Sequence, residues 1–143
     1  MIAAKEYLLN MERLDAQINV RLSEKDDLKE KLTHITPTLS PDKGSGGGGM
    51  QDKVAGIIAR MIDLESRINA DIDRLADQKQ EALALLDKME NPTYMTVLHR
   101  RYFLHETFER IAIDMNYSWR WVIKLHGRAL QAFDKLLKEK NAG

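Results

Sequence analysis

Cysteine is absent from the 143 residues, proline occurs three times, and aromatic side chains make up only 6%. Without cysteine there is no disulfide framework and no thiolate metal site, a usage that fits a cytoplasmic protein. The scarcity of aromatics argues against a thick globular core. Long apolar runs are also missing, and none approaches the roughly 20 residues that cross a bilayer. The opening "MIAAKEYLLNMERLD" is charged within five residues. Neither a secretory leader nor a membrane span is therefore expected.

What is present is charge at helical spacing. Apolar residues make up 43% and charged residues 31%, with 22 bases against 22 acids. The zero sum hides an asymmetry. Residues 1–33 carry six Lys/Arg against seven Asp/Glu, and residues 51–90 carry six against nine. Residues 91–143 carry nine against five. An acidic front joined to a basic back predicts two jobs, with any polyanion partner at the C-terminal end.

Residues 3–33 read as one helix, with Tyr7, Met11, Leu14, Ile18, Leu22, Leu28 and Leu32 near one face. A Pro/Gly-rich loop spans 34–50. Pro37 and Pro41 disfavour helix in the residues before them, and four consecutive glycines make the segment flexible. No strand precedes those glycines and no Gly-Lys-Ser/Thr closes them, so a linker is expected rather than a phosphate cradle. Residues 51–90 read as a second long helix through Val54, Ile57, Met61, Leu64, Ile68, Ile72, Leu75, Ala82, Leu86 and Met89. The step Leu64–Ile68–Ile72 breaks the three-four rhythm like a stutter. Neither helix can bury its stripe alone. The expectation for 1–90 is an antiparallel, coiled-coil-like helical hairpin, completed by a second copy as a homodimer.

Asn91 and Pro92 mark the start of a second module, 91–143. Three short helices are expected there. The first runs from Pro92 to Phe103 with Tyr94, Val97, Leu98 and Tyr102 inward. The second runs from the cap Thr107 to Met115 with Phe108, Ile111, Ala112 and Met115 inward. Asn116 suits a left-handed turn, and Ser118 caps a third helix with Val122, Leu125, Ala129, Leu130 and Phe133 inward. A helix, a short turn and a second capped helix form the helix-turn-helix pattern, here with small Ala112 where the helices cross. The fold class expected is all-α: the hairpin followed by a three-helix helix-turn-helix module.

In that pattern the helix after Ser118 is the recognition helix. Its outward positions are Trp119, Arg120, Ile123 and Lys124, with Trp121 at the edge and His126 and Arg128 further along. Arg reads guanine in the major groove, and a helix N-terminus offers free N–H groups to phosphate. Arg100, Arg101 and Arg110 are candidates to hold phosphates, as is the capping residue Thr107. Two tryptophans on neighbouring faces cannot both point to the core. Trp119 is expected outside and Trp121 against the first short helix or the hairpin.

"VLHRRYF", "TFERIA" and "NYSWRWVIKLHGRALQAF" resemble region 4 of sigma-70 factors. With its helical N-terminal half, the chain resembles small phage regulators of the ArpU and RinA type. The resemblance implies a phage or prophage transcription regulator, activating late genes by binding promoter DNA through the helix that begins at Ser118, with Trp119, Arg120, Trp121, Ile123 and Lys124 at the positions that meet bases. It also implies bacterial RNA polymerase as a partner. Arg128, one turn beyond Lys124, is a DNA-binding candidate from its outward position. The chain departs from the region-4 pattern at Asn116, where glycine is usual, and at Arg110, where glutamate is usual.

Enzymatic signals are missing. None of His34, His99, His105 and His126 makes an i, i+4 pair with a Glu between, and no nucleophile–base pair can be picked out. No enzyme, cofactor or metal site is expected. Two other readings fit a helical DNA-binding chain: a packaging protein like a terminase small subunit, and a helical adaptor that binds protein instead of DNA.

Overall fold

The computed structural model describes residues 3–35 and 47–143. It is all-helical, with no strand among the described residues. Five helices follow in order: α1 (Ala3–Ile35), α2 (Gly47–Asp87), α3 (Pro92–Tyr102), α4 (Phe108–Met115) and α5 (Trp119–Ala142). No helix among the described residues is long and apolar enough to cross a membrane. The predicted loop 34–50 is shorter at both ends, since α1 continues through Ile35 and α2 already begins at Gly47. The rest of that loop, with its two prolines, lies outside the described residues. At the far end α2 closes at Asp87, and the N–H groups of Lys88 and Met89 donate to Leu85 and Leu86 at 3.1 and 3.0 Å.

The described chain divides into two compact units. One takes the start of α1 through Arg13 together with Ala76–Gly143, and the other is Leu14–Leu75. The sequence boundary expected at 90/91 therefore falls inside the first unit.

In that first unit α3, α4 and α5 pack on one another. Their core is Val97, Leu98, Tyr102, Ile111, Ala112, Val122, Leu125, Ala129, Leu130, Phe133 and Leu137. Ala4, Leu8 and Met11 of α1 and Ala82, Leu85, Leu86 and Met89 of α2 are buried in the same unit. Asp134 of α5 accepts the otherwise unpaired N–H of Ala4 at 3.1 Å, which satisfies one orphan donor at the start of α1. Tyr7 packs on Phe133, with ring centroids 5.8 Å apart, and Lys140 pairs with Glu81. That lysine holds the Glu81 carboxyl below its usual range. Burial beside Glu81 pushes the Tyr7 phenol up.

In the second unit the buried apolar residues are Leu14, Ile18 and Leu28 of α1 and Leu64, Ile68 and Leu75 of α2. Between them lies a charged layer: Arg21 bonds to Asp71, which is only 4% exposed. Lys25 faces Glu65 at 3.8 Å, and Arg60 donates to Glu24 at 2.8 Å. Rising numbers on α1 thus meet falling numbers on α2. The expected positions Leu22 and Ile72 are not in this seam. They are 41% and 46% exposed. Asp71 takes the place given to Ile72, and the inward series Leu64, Ile68, Asp71, Leu75 keeps the alternation of four and three. There is no stutter. An apolar-only reading skips the position because its occupant is an aspartate, and the ion pair with Arg21 is what makes that burial tolerable.

Candidate nucleic-acid interface

Local chemistry fixes the framework of the last three helices. The Asn91 side chain accepts from the N–H of Thr93 and Tyr94, with Pro92 opening α3. The Thr107 hydroxyl accepts from Arg110 N–H at 3.1 Å, and the Ser118 hydroxyl accepts from Trp121 N–H at 3.1 Å. Between these caps Asn116 stands at φ 59°, ψ 40°. The Tyr117 N–H then donates to Ala112 at 2.9 Å, closing the turn. Ile111, Ala112 and Val122 form the knot that holds α4 on α5, with Phe108 and Met115 at its edge.

This knot leaves the opening of α5 outside. Ser118, Trp119, Arg120, Trp121, Lys124 and Arg128 are exposed, and Ile123 is half-buried. Trp119 is 52% exposed. Trp121, expected to pack inward, is 37% exposed, because Val122 and Leu125 take the inward directions of this helix. Its ring lies under the Arg128 guanidinium, 5.3 Å from the centroid, a cation–π contact that orders both side chains.

The arginines of α3 and α4 have partners within the protein. Arg100 donates to Glu106 and to Asp114, each at 3.0 Å, and is only about a quarter exposed. The hydrogen bond to Asp114 raises its pKa further. Arg110 donates to the same Asp114 at 3.2 Å. Arg101 donates to the Glu106 carbonyl at 3.0 Å and lies 4.2 Å above the Phe108 ring. Thr107 is occupied as a cap. These side chains hold the α3–α4 corner together. The i, i+4 spacing of Arg110 and Asp114 was a readable sign of this, whereas Arg100 reaches its partner across 14 residues.

His126, placed among the outward positions, is instead half-buried. It shares a 2.7 Å hydrogen bond with the Tyr102 hydroxyl and meets Phe108 edge-on. Burial pushes its pKa down to about 4, helped by Arg101 and Lys5, and pushes Tyr102 up to about 12.

Within α3 to α5 the positive charge left open is a run on α5. Arg120, Lys124, Arg128 and Lys135 have no carboxylate partner among the described residues. At 100° per residue they stay within one quarter of the helix surface and extend roughly 22 Å along it. Lys135 is the member that sequence reasoning passed over, although its spacing from Arg128 was visible. No cluster of three or more metal-ligating side chains occurs among the described residues. The chain matches no family model, no curated protein and no solved structure.

Proposed function

We propose that this protein binds double-stranded DNA through α5, as a phage or prophage transcription regulator of the sigma-70 region-4-like kind, acting in the cytoplasm of a bacterial host. In this reading α1 and α2 form an antiparallel hairpin, α3 to α5 form a helix-turn-helix module, and a homodimer presents two recognition helices. The observation that carries it is the unpaired run Arg120, Lys124, Arg128 and Lys135, beside corner arginines that are all engaged. An uncompensated basic stripe beginning at an exposed, capped helix start suits a phosphate backbone flanking a groove. Arg120 and Lys124 are assigned to base edges and phosphates, and Arg128 to phosphate. Trp119 is assigned to thymine methyls and sugar edges.

The exposed Trp119, together with Ile113 and Tyr117 nearby in sequence, supports a second contact, with a protein such as RNA polymerase. The test is duplex binding by the Arg120→Ala, Lys124→Ala double variant. Affinity for duplex DNA should fall at least about tenfold, with the melting temperature unchanged, since both side chains are outside the core. Unchanged affinity would remove α5 from the interface. Rings larger than a dimer would favour a packaging protein, and binding that ignores salt would favour an adaptor.

A further inference from the structure

Two arginines of the last three helices lie over aromatic rings, and they differ in what else they touch. Arg101 is 4.2 Å above Phe108 and also donates to the Glu106 carbonyl, so part of its hydrogen-bonding capacity is taken up within the protein. Arg128 lies 5.3 Å from the centre of the Trp121 ring and has no hydrogen-bond or ion-pair partner among the described residues. Arg100 and Arg110, in contrast, share Asp114. Arg128 is thus held in place without being neutralised. The spacing brings this about. Residues 121 and 128 are two helical turns apart, so both side chains leave α5 within about 20° of one line, roughly 10.5 Å apart along the axis. Helical side chains lean toward the N-terminus. The long arginine stem lies back along the helix, and its charge is carried toward Lys124 and Arg120 at the exposed start of α5.

We infer that Trp121 is a positioning residue that presents Arg128 to a phosphate of duplex DNA, and not itself a reader of bases. This rests on the DNA-binding role of α5 proposed above. An indole face attracts a cation but has no oxygen to compete for the guanidinium N–H groups. Those donors stay available to an oxyanion, and a planar guanidinium fits phosphate with two parallel hydrogen bonds. A free arginine gives up its rotamer freedom when it binds. One already laid on a ring has given up part of it beforehand, so less is lost when phosphate arrives.

The test is a double-variant cycle on duplex DNA affinity at one salt concentration: wild type, Trp121→Leu, Arg128→Ala and the two together. Trp121→Leu should weaken binding about threefold to fivefold where Arg128 is present, and by less than about 1.5-fold in the Arg128→Ala background. Trp121→Phe keeps an aromatic face and should recover most of the loss. A Trp121 that reads bases or only supports the helix would cost the same factor with and without Arg128. Tighter binding by Trp121→Leu would mean that the ring withholds Arg128 from DNA. Either result overturns the inference and leaves α5 on DNA. The pair itself is read without DNA. In the NMR spectrum of the free chain the indole ring current should move the δ-methylene protons of Arg128 upfield, and Trp121→Leu should abolish that shift. An unshifted Arg128 in wild type also overturns the inference. If the shift is present and wild type binds no duplex DNA, the α5 reading falls and the phosphate role falls with it.

Discussion

At Asn116 the backbone turns through φ 59°, a conformation that costs most side chains about 1 kcal/mol or more and that asparagine tolerates. Asn116→Gly should therefore leave stability within about 1 kcal/mol, whereas Asn116→Val should lose roughly 1–3 kcal/mol in urea unfolding. Equal stability of the two variants would mean that the turn is not held in this form. His126 gives a pH signature. Its unfolded pKa is near 6.5 and its folded pKa is about 4. Between those values the unfolded chain takes up a proton that the folded chain resists. The contribution is whole above about pH 6.5 and is lost as pH falls toward 4. His126→Phe keeps a ring against Phe108 and removes the titration. Its unfolding midpoint should fall less than that of wild type between pH 7 and pH 4.5, and equal slopes would contradict the burial argument. Capping residues were legible one by one because their chemistry is local. The seat of His126 was not, because Tyr102 and Phe108 reach it from two other helices.

The long helices carry a different lesson. Their existence follows from apolar spacing, but their register does not follow from apolar residues alone. Counting only those puts Leu22 and Ile72 inward, whereas the seam passes through Arg21 and Asp71. The ion pair is seen only when both helices are present, since its partners stand 50 residues apart. Arg21→Leu alone leaves a buried carboxylate without its main partner and should cost about 2–4 kcal/mol. Adding Asp71→Leu should recover most of that loss in the same denaturation experiment, because replacing a whole buried pair with apolar side chains is often neutral. No recovery in the double variant would mean that the layer does not govern the seam. The first turns of α1 were likewise legible as helix but not as neighbours of Phe133 and Asp134, which are contributed from the far end of the chain.

Over the whole molecule the sequence carries an acidic front and a basic back, and the structure divides the basic charge further. The arginines at the α3–α4 corner are spent on Glu106, Asp114 and a carbonyl, and α5 keeps the open run. Net charge over 91–143 pointed to that last third or so of the chain. Only the pairing pattern separates structural arginines from those available to a polyanion. If α5 lies along DNA, Arg120, Lys124, Arg128 and Lys135 each displace counterions on binding. The measurement that tests this most directly is the salt dependence of duplex DNA affinity, read by fluorescence anisotropy on the full chain. Three or four phosphate contacts per chain predict a log–log slope of about −3 per chain, or roughly twice that for a dimer with both helices engaged. A flat salt series, or no binding at low salt, would contradict the assignment of α5 to DNA.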